Sequence, residues 1–400
     1  MTDTLERFDL APGFRATATA CGLRPSGELD LALVSSASPC TAAGTFTTNH
    51  VRAAPVLYDE EILARHAANI RAVIANSGCA NACTGDQGTR DVRHTAAMVA
   101  QRLGCRPDQV LALSTGVIGR PLDMEKITKG IAKVADSAAR ASAADAARAI
   151  LTTDTRPKIA MRETARGVAV RGFAKGSGMI HPHLATMLGI VTTDARLAPD
   201  ALQSALRFAV ARSFNRISVD GDMSTNDTVL LLASGVSEVE IRGTDLEDFA
   251  ETLTEVCISL AKQIARDGEG ATRLVEILVT GAIDEPQAHA VADQIARSPL
   301  VKTAIHGGDP NWGRVLAAAG SSGVAIDPER LTLCFGAPPE EACVVSSGLP
   351  TTVDERHAAE KLKADPVRLR LDLGLGGASC AVWTCDLSGR YVDLNAHYTT

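Results

Sequence analysis

Aromatic side chains make up only 3% of this 400-residue chain. An interior of that size must then be filled by small aliphatic groups, chiefly alanine and valine. No run of 18 apolar residues occurs, which excludes a membrane-spanning helix, so no membrane partner is expected. No basic stripe carries interleaved aromatics and the formal net charge is −7, so nucleic acid is not an expected partner either. The ten cysteines include no C-x-x-C pair, and Cys79 and Cys83 have no partnering His pair, so no metal set is predicted. No nucleotide fingerprint appears, and His306–Arg314 (HGGDPNWGR) lacks the G-K-[ST] ending of a P-loop, so no cofactor is expected. The opening MTDTLERFDLAPGF has no apolar core segment and is not read as a secretory signal. These absences predict a cytoplasmic protein with reduced, mostly buried thiols.

Hydrophobic residues are 46% of the chain, enough for one large domain or two smaller ones. Strand-like and helix-like stretches alternate, which argues an α/β or α+β fold. Strands are expected at Leu31–Ser35, Gly44–Val56, Arg71–Ala75, Gln109–Leu113, Val168–Phe173, Ile217–Val219, Val229–Ala233 and Lys302–Ile305. Alternation predicts further, antiparallel strands at Leu331–Phe335, Val367–Leu373, Ala378–Cys385 and Tyr391–Leu394. Helices are expected at Asp59–Ala68, Thr89–Leu103, Pro121–Val134, Ala139–Leu151, Leu197–Asn215, Leu246–Arg266 and Gln287–Arg297, and through Leu316–Ala319. Composition shifts at Gly281–Pro286, a candidate domain boundary.

The segment with the strongest chemical character is Lys175–Ala195, KGSGMIHPHLATMLGIVTTDA. A lysine and three small residues lead to Pro182, which stops any helix. Met187, Leu188, Ile190 and Val191 then read as a buried strand. A flexible entry thus delivers one hydroxyl, Thr186, to the start of a core strand. A plain glycine loop accounts for this as well. The alternative is that Thr186 is a nucleophile. A threonine hydroxyl needs a base, and cutting the bond before Thr186 would supply one, its own α-amine. Upstream, a strand ends in Ser114-Thr115-Gly116, setting a hydroxyl beside an unobstructed N–H as an oxyanion hole requires, or simply forming a strand-to-helix turn. Asp220–Thr228 fails as a calcium loop, since Thr225 and Leu231 stand where Gly and Glu are needed. Thr152–Thr155 reads as a polar cap, and Asp267–Thr272 as a glycine-flanked acid.

These residues carry a resemblance. Lys175–Ala195 is similar, almost throughout, to the self-cleavage segment of the ArgJ family, the ornithine acetyltransferases (glutamate N-acetyltransferases), K-G-[SA]-G-M-I-x-P-x-[ML]-A-T-M-L followed by T-T-D-A. S-T-G-V-I-G at 114–119, D-G-D-x-S-T-N-D-T at 220–228 and the ending from Asn395 to Thr400 resemble that family too. Asn76–Gly85 departs once, with Cys79 in place of Asn, and His183 stands where Asn or Ser is usual; His181 and His183 read as packing or surface residues.

The resemblance covers about Phe8 to Thr400. It implies a four-layer sandwich of helices around two mixed sheets over residues 1–280, with a smaller α/β domain over 281–400. It implies cleavage between Ala185 and Thr186 into an alpha chain, 1–185, and a beta chain, 186–400, assembled as an α2β2 heterotetramer. Thr186 would carry the acetyl group, with its freed amine as base and Thr115 and Gly116 as the oxyanion hole. Thr152, Lys175, Thr186, Glu269, Asn395 and Thr400 would bind substrate. The implied reaction is ping-pong transfer from N2-acetylornithine to glutamate, releasing ornithine; whether acetyl-CoA is also a donor stays open. The other readings are a self-processing N-terminal-threonine amidase or aminopeptidase, and a non-catalytic paralogue.

Overall fold

The structure is a computed structural model that describes residues 5–136, 138–181 and 187–397. The described residues of Met1–Asn215 and Met223–Leu260 form one compact unit, and those of Arg216–Asp222 and Ala261–Tyr398 form another.

In chain order the first unit holds β1 (Phe14–Thr19), β2 (Leu31–Phe46), α1 (Ala54–His66), β3 (Ile70–Asn76), α2 (Gly85–Leu103), β4 (Val110–Ser114), α3 (Met124–Val134) and α4 (Ala143–Ala149). It continues with β5 (Lys158–Glu163), β6 (Ala169–Lys175), β7 (Leu188–Thr193), α5 (Pro199–Ala211), β8 (Thr228–Ala233) and most of the long α6 (Asp245–Arg266). The strands form one sheet, ordered β4-β3-β2-β8-β7-β6-β5, with β1 also on β2. β2 spans 16 residues and changes partners midway. Leu31–Ser35 pair with β3, the register shifts before Cys40, and Thr41–Phe46 pair with β8. The β3–β4 and β7–β8 pairs are parallel and the others antiparallel, so the sheet is mixed. Its core is built from small and branched aliphatics such as Ala96, Ala100, Ala146, Val73 and Ile190, as the scarcity of aromatics predicts.

The second unit holds β9 (Leu274–Ala282), α7 (Glu285–Arg297), α8 (Pro299–Gly307), α9 (Trp312–Gly320), β10 (Thr332–Phe335), β11 (Ala342–Ser346), β12 (Leu349–Pro350), α10 (Glu355–Lys361), β13 (Val367–Asp372), β14 (Ala378–Cys385) and α11 (Gly389–His397). Its sheet runs β12-β11-β10-β13-β9-β14. The architecture is therefore mixed α/β, with two mixed sheets and eleven α-helices among the described residues. No described helix is long and apolar enough to cross a membrane.

Several local expectations are corrected. The strand expected over Gly44–Val56 ends at Phe46. Pro55 then lies in the first turn of α1, where its fixed φ suits a helix start. α3 starts only at Met124, after the Asp123 side chain accepts the Lys126 N–H. α4 is shorter than Ala139–Leu151, being capped by Ser142. Lys302–Ile305 is helical, inside α8, because Ser298 caps the Val301 N–H and Pro299 opens the first turn. Tyr391–Leu394 lies in α11 rather than in a strand. Ile217–Val219 makes only an isolated bridge, from Ile217 to Trp383. β13 pairs parallel with β9, and β5 and β9 answer to no expected strand. The thiols are not all reduced: Cys334 and Cys343 face each other across β10 and β11 and form a disulfide. Cys83 is exposed.

Candidate active site

β3 and β4 run side by side and end together, Asn76 opposite Ser114. The Asn76 side chain ties the two exits, accepting the Ser114 hydroxyl at 2.7 Å and donating to the Cys79 carbonyl at 2.9 Å. The Thr115 N–H donates to the Asn76 carbonyl. Gly116 then takes φ +130°, and a Cβ there would lie 2.4 Å from the Gly78 carbonyl carbon, so only glycine fits. Asn226 closes the arrangement from the other side, donating to the Ala80 and Ser114 carbonyls at 2.7 and 2.8 Å. The later part of the Asp220–Thr228 run is thus a hydrogen-bonded loop beside this turn. Cys79 is buried with its thiol donating to the Arg120 carbonyl, and burial raises its pKa, which leaves it a packing residue.

Lys175 arrives from β6. It lies in cross-strand register with Leu188, Leu188 with Thr228, and Thr228 with Phe46, a row along one end of the sheet. The lysine is 2% exposed, and its Nζ donates to the Thr115 Oγ1 at 3.1 Å. A hydroxyl that accepts from an ammonium keeps its own proton to donate elsewhere. The Gly116 N–H has no acceptor among the described residues. Two adjacent donors, one beside a buried cation, can stabilise a negative oxygen.

Asp154 organises this cluster, and sequence reading missed it. The carboxylate is fully buried; its Oδ1 accepts the Lys158 Nζ at 2.5 Å and the Gly176 N–H at 2.6 Å, and its Oδ2 the Thr152 N–H at 3.1 Å. Burial alone would raise its pKa. The Lys158 and Lys175 ammonium groups outweigh that and hold it well below the usual carboxylate range. One anion therefore links Thr152, the start of the glycine loop and two lysines. Lys158 was also missed; it is fully buried at the start of β5. Asp227 is a second buried carboxyl facing Lys175, and here burial wins, pushing its pKa well up. The two aspartates near one lysine are thus shifted in opposite directions. The TTDT and STNDT runs were visible in the sequence, but nothing in them announced burial.

In the second unit the loop 267–272 presents Glu269, whose Oε2 accepts the Asn395 Nδ2 at 2.8 Å. α11 is seated on this loop: the Ser388 hydroxyl donates to the Gly270 carbonyl at 2.7 Å. Gly270 has φ +72°, and a Cβ there would lie 2.6 Å from the Tyr391 nitrogen. Nearby, Asp386 accepts the Thr272 and Arg273 N–H groups and the Thr272 hydroxyl, and pairs with His306 Nδ1 at 2.7 Å.

Of the predicted site residues, Thr115, Gly116, Thr152 and Lys175 are gathered in the first unit, and Glu269 and Asn395 in the second. Ala185, Thr186, His183 and Thr400 lie outside the described residues.

A mixed α/β scaffold that sets a buried lysine, a hydroxyl and a glycine N–H with no acceptor among the described residues at its strand ends is suited to acyl-group chemistry. Comparison with known proteins agrees in scale with that reading. The family model for the ArgJ family matches residues 15–400. The arginine biosynthesis bifunctional protein ArgJ of Parasynechococcus marenigrum is 47% identical over 391 residues, covering 97% of this chain and 94% of that protein. The protein of the same name from Dehalococcoides mccartyi is 46% identical over 396 residues, covering 97% and 96%. Among solved structures, the arginine biosynthesis bifunctional protein ArgJ of Bacillus halodurans is 44% identical with a TM-score of 0.50, covering 52% of this chain and 98% of that one. The chain belongs to the ArgJ family.

Proposed function

We propose that this protein is an acetyltransferase of arginine biosynthesis, moving acetyl from N2-acetyl-L-ornithine to L-glutamate and so releasing ornithine and N-acetylglutamate. Relatives 46–47% identical along nearly their whole length are named for arginine biosynthesis. The observation that carries the chemistry is the Lys175–Thr115 bond beside the Gly116 N–H, which has no acceptor among the described residues.

The chain cuts itself between Ala185 and Thr186, within a domain spanning 1–280 that a smaller one, 281–400, follows. The half-length match supports the cut: 98% of the Bacillus halodurans chain is covered by only 52% of this one. Thr186 Oγ attacks the acetyl carbonyl carbon while the freed α-amine takes the Oγ proton. The developing oxyanion is held by the Thr115 hydroxyl and the Gly116 N–H. As the amide C–N bond breaks, the proton passes to the departing ornithine nitrogen, leaving an acetyl ester on Thr186. The glutamate amine then attacks the ester, and the same groups act in reverse. Lys175 answers the substrates' carboxylates and Glu269 the ornithine side-chain ammonium. Thr152, Asn395 and Thr400 supply hydrogen bonds. Acetyl-CoA serves as a second acetyl donor, the two chains assemble as α2β2, and the enzyme works in the cytoplasm.

The test is the intact mass of denatured wild-type and Thr186→Ala protein, beside acetyl-transfer assays with acetylornithine and acetyl-CoA. Two fragments and glutamate acetylation in the wild type, with one inert chain in the variant, are expected. An uncut, fully active wild type would refute the nucleophile, and release of free acetate in preference to acetylglutamate would make the protein an amidase.

A further inference from the structure

Asp227 is a buried acid near Lys175 that the mechanism above leaves without a task. Its Oδ1 accepts the Met187 N–H at 2.9 Å. Its Oδ2 is buried and makes no close hydrogen bond among the described residues, although the Thr47 side chain and the Ser224 backbone lie near enough to favour the charged carboxylate. Leaving a buried acceptor unsatisfied costs on the order of 1–3 kcal/mol, so an orphan of this kind calls for an explanation.

The surroundings hold Asp227 firmly. Its carbonyl accepts the Thr47 N–H at 2.9 Å, and the preceding Asn226 is bonded to the Ala80 and Ser114 carbonyls of the Thr115 turn. Thr228 opens β8 in register with Leu188 of β7. The carboxyl is therefore one residue from a side chain hydrogen-bonded to the strand end that leads into Thr115 and Gly116, and its one charged neighbour among the groups acting on it is Lys175. The N–H it grips belongs to the peptide group joining residues 186 and 187. A peptide group is planar and stiff, so a hydrogen bond to its N–H fixes the plane at that point of the chain.

We propose that Asp227 is a positioning residue for acyl transfer, acting by holding the N–H of Met187, the residue that directly follows Thr186 in the chain. This rests on the reading of Thr186 as nucleophile. The carboxyl is placed to hold geometry, while the transferred proton moves between Thr186 and the substrate nitrogen.

The test compares Asp227→Ala and Asp227→Asn with the wild type. Cleavage is followed by denaturing intact mass, and kcat and KM are measured on the cleaved fraction of protein whose circular dichroism matches the wild type. The alanine variant loses the acceptor; a displacement of about 1 Å at a reacting group can cost about 10²-fold. We expect cleavage and kcat to fall by about that factor, with KM for acetylornithine within about twofold, since ground-state binding is untouched. The asparagine variant keeps an acceptor at Oδ1 and is expected to recover both to within about fivefold of the wild type. An alanine variant that cleaves and turns over normally overturns the proposal. So does an asparagine variant as impaired as alanine, which would mean the acid's proton is what matters. An uncut wild type would instead sink the nucleophile reading itself.

Discussion

The two sets of candidate site residues sit in opposite kinds of surroundings. In the first unit Lys175, Thr115 and Asp154 are almost wholly excluded from water and joined by short bonds to backbone and to one another. In the second, Glu269 is half-buried and its partner Asn395 lies exposed on the terminal helix α11. A buried charge network is costly to break, because removing one member strands the others without solvent. A solvated contact is weak but can be remade with a substrate. The first set is therefore a fixed half of the candidate residues, and the second is an adaptable half whose contact can be exchanged.

The largest effect is expected at Asp154. Asp154→Ala would remove the buried carboxylate that accepts from Lys158 and from the Gly176 and Thr152 N–H groups, at about 3–5 kcal/mol of stability. Denaturant unfolding measures this, and a loss below about 1 kcal/mol would erase the contrast. The pH response follows from the depressed pKa of Asp154. Its contribution is fully present above its unfolded value of about 4 and is lost as pH falls toward the lower folded value. Asp154→Asn should therefore flatten the acid limb of the stability profile.

Next comes Gly116→Ala. The added methyl meets the Gly78 carbonyl carbon and the Cys79 nitrogen at 2.4 and 2.6 Å, at a φ that disfavours any side chain. The turn must shift, and the N–H with it. Loss of one oxyanion donor lowers kcat by about 10²–10³. Steady-state kinetics on the cleaved variant would show it, and unchanged kcat would remove Gly116 from the oxyanion hole.

Asp227 sharpens the contrast within the buried half. Burial raises its pKa, so its contribution is present below about pH 4 and lost as pH rises toward the higher folded value. That slope has the opposite sign to the slope from Asp154. The melting temperature of Asp227→Asn should gain on the wild type between about pH 5 and 8, by a few degrees. A difference independent of pH would show that the carboxyl is ionised in the fold.

Much of this was legible in the sequence. The STG turn, the polar loop before β8, the helices α2, α6 and α7 and the strands β3, β4 and β14 follow from local pattern, because each is set by nearby residues. Asp154 was not legible, since a carboxylate after a helix end reads as a cap, and only Lys158 and Lys175, brought in by β5 and β6, turn it inward. Lys302 was misread for a related reason. Val301, Lys302 and Thr303 look like a strand, but the Ser298 cap starts a helix and Lys302 reaches the Thr384 hydroxyl and the Cys385 carbonyl. Strand partners far apart in sequence leave no local mark, which is why β9 and its parallel pairing with β13 went unforeseen.

The smallest effect is expected at Glu269, and it tests the adaptable half. Glu269→Gln keeps an oxygen to accept from Asn395 and removes the charge. Because the Asn395 contact is solvated, folding stability should stay within about 0.5 kcal/mol of the wild type. If Glu269 meets the ornithine side-chain ammonium as proposed, KM for acetylornithine should rise about tenfold, equivalent to about 1.4 kcal/mol. Glutamate has no such ammonium, and its KM should hold or fall slightly as a repelling carboxylate is removed. That asymmetry between donor and acceptor is the sensitive part of the measurement. Equal rises for both substrates would mean that Glu269 supports the loop and α11 rather than recognising a charge, and the division between a fixed half and an adaptable one would lose its second term.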